Sequence, residues 1–75
     1  MHDHYFTEEE FMTMKIGITR EFAYAYGLTI PEVIDLFEQH SIYQLLDRGG
    51  AMFITKSYEY MVEKVADYIG IPSPY

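Results

Sequence analysis

The chain contains no cysteine and no tryptophan among its 75 residues. Without cysteine, neither a disulfide framework nor a thiolate zinc site can form. An absence of disulfides is typical of a reducing compartment, so we expect a cytoplasmic protein. No stretch approaches the roughly 20 apolar residues of a membrane span. The acidic start, residues 1–6, lacks the features of a signal peptide. We therefore expect no membrane association.

Basic residues are scarce as well. Five Lys and Arg residues stand against twelve Asp and Glu residues, which gives a formal net charge of −7. Binding to nucleic acid or to an anionic membrane depends on clustered Lys and Arg side chains. In this chain the bases are scattered, at Lys15, Arg20, Arg48, Lys56 and Lys64. Nucleic acid is therefore not an expected partner.

Apolar residues, in contrast, make up 49% of the chain and aromatic residues 17%. This content supports a folded core, and the length allows a single domain over residues 1–75. Apolar residues recur at helical spacing, which predicts an all-α fold of four helices. Two long helices, the first and the last, should pack on a short helical pair. Residues 1–6 are expected to fray and residues 71–75 to form an extended tail.

The first helix is predicted to begin at the capping box Thr7-Glu8-Glu9-Glu10 and to end near Tyr26, with Gly27 as its left-handed cap. One stripe of this helix is apolar, at Phe11, Met14, Ile18, Phe22 and Ala25. The apolar arc is widened by Met12, Ile16, Ala23 and Tyr26. Gly17 inside the helix indicates a close helix crossing.

A second capping box, Thr29-Ile30-Pro31-Glu32, predicts a second helix that ends near His40. Its inward side should carry Ile30, Val33, Ile34, Leu36 and Phe37. Ser41 is expected to cap a short third helix, from Ile42 to Arg48, which Gly49 and Gly50 end.

Residues 51–54 form a short apolar link to the last helix. That helix is predicted to begin after Thr55 or Ser57 and to end at Gly70. Its apolar face should carry Tyr58, Met61, Val62, Val65, Tyr68 and Ile69.

Several groups resemble functional sites, but each has a simpler interpretation. His2-Asp3-His4 has ligand-type side chains, yet a metal site needs rigidly convergent ligands, and a chain end does not supply them. His40 is interpreted as an imidazole that caps carbonyls at the end of the second helix. The outward acids one turn apart remain hydrated, so they are not expected to act as an acid–base pair. Residues 29–48 have the outline of a helix-turn-helix, but their acids would repel phosphate. We expect no enzyme, no metal and no cofactor.

Eight tyrosines are a high number for this length. Tyr58, Tyr68 and Tyr26 fall on predicted core faces. Tyr24 and Tyr60 fall on polar faces, where exposed tyrosines favour protein contacts. With the neighbouring acids, these residues form the predicted partner-binding set: Tyr24, Tyr60, Glu59 and Glu63.

Residues 12–69 resemble a family of small bacterial proteins, domain of unknown function 3791. The similar features are the segments EFAYAYGLT, PEVIDLFEQHSIYQLL and YEYMVEKVADYI. The resemblance implies an all-helical fold without enzymatic activity. It also implies an antitoxin or partner-binding role, because members are often encoded beside toxin-like proteins. The chain departs from the family pattern in the link before the last helix, at residues 53–57.

The sequence thus predicts a non-enzymatic, acidic protein-binding domain, antitoxin-like, that masks a basic surface of its partner. Two alternatives are a DNA mimic that inhibits a nucleic-acid enzyme and a homo-oligomeric structural domain. A homodimer is considered because the first helix has more apolar surface than one neighbour is expected to cover.

Overall fold

A computed structural model describes residues 7–49 and 56–75. These residues form helices and no strand, which confirms the all-α prediction. The helices are α1 (Glu8–Tyr26), α2 (Ile30–Gln39), α3 (Ile42–Gly49) and α4 (Tyr58–Ile69). The predicted frayed start and the apolar link at residues 51–54 lie outside the described residues.

Both predicted capping boxes are formed. At the start of α1, the Glu10 amide donates to Thr7 Oγ1 at 3.1 Å, and the Thr7 amide donates to Glu10 Oε1 at 2.7 Å. Thr29 and Glu32 repeat the arrangement at the start of α2. Hydrogen bonds from the Thr29 amide and hydroxyl hold the pKa of Glu32 below its usual value. Gly27 ends α1 with φ 67°, a left-handed conformation that favours glycine.

For the other helix ends, the predictions for α4 were correct and the prediction for the start of α3 was not. Ser57 caps α4, and Gly70 ends it with φ 93°, as expected. The prediction for Ser41 was wrong, because no described residue donates to its hydroxyl. Ser41 instead adopts φ 54°, and its carbonyl accepts from the Leu45 amide at 3.1 Å. The chain thus turns into α3 through a left-handed serine backbone.

Helix α1 is the centre of the fold, because it packs against each of the other three helices. The core contains the predicted α1 stripe residues Met14, Ile18 and Phe22, all buried. The other helices contribute buried apolar residues at Val33, Phe37, Ile42, Leu46, Met61, Val62 and Val65. A chain of aromatic rings links three of the helices. Phe37 of α2 lies 5.1 Å from Phe22 of α1 and 5.4 Å from Tyr43 of α3, between ring centroids.

Several side chains that were predicted to be buried lie at the surface. Tyr68 is 57% exposed and Tyr58 is 40% exposed, so the core face of α4 is narrower than its apolar pattern indicates. Ile30 and Ile34 of α2 are exposed as well, because α1 covers only the side that carries Val33 and Phe37. The wide arc of α1 is also left partly uncovered, at Met12 and Ile16.

The close approach expected at Gly17 is present, but a tyrosine ring makes it. A Cβ atom on Gly17 would lie 2.8 Å from Tyr58 Cε1 and nearer still to the phenol end of the ring. Gly17 therefore gives the Tyr58 ring its place against α1.

We expect Gly17→Ala to have opposite effects in two backgrounds. In a Tyr58→Ala protein the space is open, so the substitution should stabilise by about 1 kcal/mol, the helix-propensity difference between the two residues. In the wild-type protein the new methyl group should displace the Tyr58 ring and cancel that gain. Urea unfolding of the four proteins measures the coupling. Equal effects of Gly17→Ala in both backgrounds would contradict the contact.

Candidate functional site

The four predicted partner-binding residues lie on two helices. Tyr24 of α1 is 86% exposed, the most exposed of the large apolar or aromatic side chains in the described residues. Glu59, Tyr60 and Glu63 lie on α4 and are exposed too. Their exposure was predicted correctly, whereas their grouping differs from the expectation. Glu59 and Glu63 lie near residues of α1 and of the tail, whereas Tyr60 lies beside two lysines.

The tail after α4 contributes to the grouping around the glutamates. It has neither helix nor strand, and it packs back on the domain. Ile71 packs against the core, and the Tyr26 hydroxyl donates to the Pro72 carbonyl. Ser73 Oγ donates to Glu63 Oε2 at 3.3 Å. At its end, the Tyr75 hydroxyl donates to Glu21 Oε2 at 3.0 Å.

Glu21 of α1 accepts from the Tyr75 phenol, and the charges of Glu59 and Glu63 of α4 also act on it. We call Glu21, Glu59, Glu63 and Tyr75 the acidic face. The pKa of Tyr75 is raised to about 12, first by desolvation, then by the hydrogen bond to Glu21 and by the negative charges of the three glutamates. A phenolate here would stand among carboxylates, so its ionisation is opposed. The three glutamates thus add to the effect of desolvation on the same phenol.

We expect Tyr75 to titrate at about pH 12 rather than at its ordinary value of 10.0. The folded protein holds the phenolic proton more tightly than the unfolded chain does. The docked tail is therefore fully stabilised below pH 10, and this stabilisation is lost as the pH rises toward about 12. Ultraviolet absorption of tyrosinate follows the change. Tyr75→Phe should remove one tyrosine from the high-pH end of the titration, and an unchanged high-pH end would contradict the assignment.

Two residues of the acidic face, Glu21 and Tyr75, were missed in the sequence. They lie 54 positions apart, and no local pattern links them. Their contact depends on how α4 packs against α1 and on where the tail turns after Gly70. The only sequence signal was the high number of tyrosines, which does not indicate which of them meet acids.

Tyr60 has a different environment. The Nζ atoms of Lys56 and Lys64 each lie 5.4 Å from the centroid of its ring. Lys56 precedes α4 and Lys64 lies one turn after Tyr60 on it, so both cations approach the same ring. Tyr60 therefore belongs to a small cationic strip beside the acidic face rather than to the acidic face itself.

The other candidate sites contain little chemistry. His40 is half-buried at the end of α2, and its backbone amide donates to the Leu36 carbonyl at 3.3 Å. The predicted imidazole cap was wrong, because among the described residues the ring has no hydrogen-bond partner. Within residues 7–49 and 56–75, no three His, Asp or Glu side chains are grouped as metal ligands would be. His2, Asp3 and His4 lie outside those residues.

In the described parts of the chain, no helix combines the length and the apolar character needed to cross a bilayer.

Comparisons with known proteins give no relative. No protein-family model, no curated protein and no solved structure matches this chain. The resemblance to domain of unknown function 3791 therefore stays a prediction, and the function has to be argued from the surface.

Proposed function

We propose that the protein is a non-enzymatic binding protein whose acidic face covers a basic surface of a protein partner. The observation that supports this proposal is the grouping of Glu21, Glu59 and Glu63 near Tyr75, whose hydroxyl donates to Glu21. Acids spread evenly over a surface keep a protein soluble. Acids gathered from two helices create a local field that a cationic partner would experience.

The acidic face is suited to steering and to specificity. Complementary charge accelerates encounter and selects against partners of the wrong sign, whereas contact energy comes mainly from aromatic anchors. Tyr24 can supply such an anchor, because it lies one turn from Glu21 on α1 and is 86% exposed. A tyrosine at that position combines a large contact area with few rotatable bonds.

An antitoxin-like role is the specific form of this proposal. The resemblance of residues 12–69 to a family often encoded beside toxin-like proteins supports it, and so does the sign of the charge. A toxin that acts on nucleic acid or on nucleotides needs a basic surface, and an acidic partner can cover that surface.

The test uses co-expression with the product of the neighbouring gene, followed by affinity measurement at several salt concentrations. Glu59→Gln with Glu63→Gln removes two charges from the acidic face. The control, Asp35→Asn with Glu38→Gln, removes two charges from the exposed side of α2. We expect the first pair to weaken binding about tenfold and the control pair to have little effect. Tyr24→Ala should weaken binding without changing its salt dependence.

Two results would contradict the proposal. The first is binding that does not weaken as salt rises, because contacts between exposed charges are screened. The second is an equal loss of affinity for the two pairs of substitutions. That result would reflect net charge alone, with no role for the arrangement of the acidic face.

A further inference from the structure

A second surface lies on α1 and α2, and at Arg20 it adjoins Glu21 of the acidic face. A shallow groove of about 570 Å³ runs between α1 and the α2–α3 pair, and its lining is mostly apolar. Met12 is 60% exposed and Ile16 is 53% exposed on the α1 side, and Ile30 and Ile34 are exposed on the α2 side. We call these four side chains the apolar strip. Four large apolar side chains together on a small acidic domain favour contact with another chain.

The charges on α1 are arranged symmetrically about this strip. The solvent side of α1 carries four exposed residues in succession, which we call the outer row: Glu9, Met12, Ile16 and Arg20. Glu9 stands at one end of the outer row and Arg20 at the other. The two charges lie about 16 Å apart along the helix axis, and the midpoint between them nearly coincides with that of Met12 and Ile16. In the described residues, neither Glu9 nor Arg20 has an ion-pair partner. The one ion pair found there joins Lys15 to Asp47 at 3.1 Å.

We propose that a second copy of this chain covers the apolar strip, with the two α1 helices antiparallel across a two-fold axis near residue 14. In that arrangement, Arg20 of each copy faces Glu9 of the other, and Met12 of each copy packs against the other copy's Ile16. Ile30 and Ile34 extend the contact along α2. A two-fold interface requires a self-complementary patch, and the outer row is self-complementary in both charge and apolar character.

Charge complementarity favours a second copy over a different protein. Each chain carries a net charge of −7, so two copies repel unless they meet where the charge is locally balanced. The outer row meets that condition, because it carries one acid and one base. The acidic face does not.

Sedimentation at several protein concentrations tests the proposal. The area is small, so we expect a weak dimer with a Kd on the order of 100 μM, measured on samples up to about 1 mM. Arg20→Glu and Glu9→Arg should each raise this Kd about tenfold, because each change places like charges opposite one another. The double variant restores both pairs with their signs exchanged, so its Kd should return close to the wild-type value. Ile16→Ser should raise the Kd about a hundredfold, because both copies lose the side chain.

The controls separate the interface from net charge and from folding. Asp35→Arg changes the charge by as much as Glu9→Arg does, but on the outer side of α2, and should leave the Kd unchanged apart from the smaller net repulsion. Thermal melting shows that each variant is folded, which we expect because these positions are exposed. A protein that stays monomeric up to about 1 mM overturns the proposal and leaves the groove to a different chain. A dimer that is indifferent to the single reversals, or that the double variant does not restore, overturns it as well.

Discussion

Replacing Phe37 with alanine is expected to lower the free energy of unfolding by about 3–5 kcal/mol. The side chain is fully buried, and its ring contacts Phe22 on α1 and Tyr43 on α3 in edge-on arrangements. Each such aromatic pair contributes about 0.5–1.5 kcal/mol beyond the burial of its area. The substitution therefore removes a buried ring that three helices share, and the surrounding side chains cannot fill all of the space.

The size of this loss matters because the domain is small. A protein of this length is expected to have a total stability of about 4–11 kcal/mol, so losing Phe37 removes a large part of it. Chemical denaturation followed by circular dichroism measures the change. Leu36→Ala is the control, because Leu36 is the neighbouring residue on α2 and is only half-buried. Phe37→Ala should cost clearly more than Leu36→Ala, and equal costs would contradict the central position of Phe37.

The helix boundaries were the most predictable part of the fold, because they depend on local chemistry. Thr7 and Glu10, or Thr29 and Glu32, are three residues apart, and each pair can satisfy its own amides in any surrounding structure. Ser41 shows the limit of this reasoning. A serine before a helix is read as a hydroxyl cap, but the short turn between α2 and α3 required a left-handed backbone instead.

Burial was less predictable, because an apolar pattern does not show how much of it a neighbouring helix will cover. Ile34 and Phe37 lie on the same side of α2 in the sequence pattern, yet Phe37 is fully buried and Ile34 is 37% exposed. The difference arises because α1 contacts one edge of that side and leaves the other edge open. Among the described helices, edges of the apolar faces remain uncovered, and four of these side chains form the apolar strip.

For the candidate site, the sequence predicted which single residues are exposed, but not which of them lie together. The sequence placed Tyr24, Glu59 and Glu63 at the surface correctly, because polar faces follow from helical periodicity. It gave no indication that the tail would bring Tyr75 to Glu21, nor that Lys56 and Lys64 would flank the ring of Tyr60. Contacts of the first kind depend on tertiary packing. The second kind is local in the sequence, and the positions of the lysines, four residues before and four residues after Tyr60, could have indicated it.

A partly buried polar pair, Thr19 and Tyr43, lines the groove and provides the second large effect. Thr19 is 4% exposed, and its hydroxyl donates to the Lys15 carbonyl at 2.7 Å. The Tyr43 hydroxyl lies 2.6 Å from the same oxygen atom and is left as the donor to it. We expect Thr19→Val to cost about 1–3 kcal/mol, because the valine keeps the shape and leaves the Tyr43 hydroxyl without its acceptor.

The reverse substitution should be milder. Tyr43→Phe removes a donor but leaves the Thr19 hydroxyl bonded to the Lys15 carbonyl, so we expect a cost of about 0.5–1.5 kcal/mol. The double variant removes both hydroxyls and leaves neither unpaired, and its cost should be smaller than the sum of the two single costs. Urea unfolding of the four proteins gives the coupling, and Thr19→Ser, which keeps the hydroxyl, separates the loss of the hydrogen bond from the loss of the methyl group. Strictly additive costs would mean that the two hydroxyls do not interact. A smaller cost for Thr19→Val than for Tyr43→Phe would mean that the direction of the hydrogen bond is reversed.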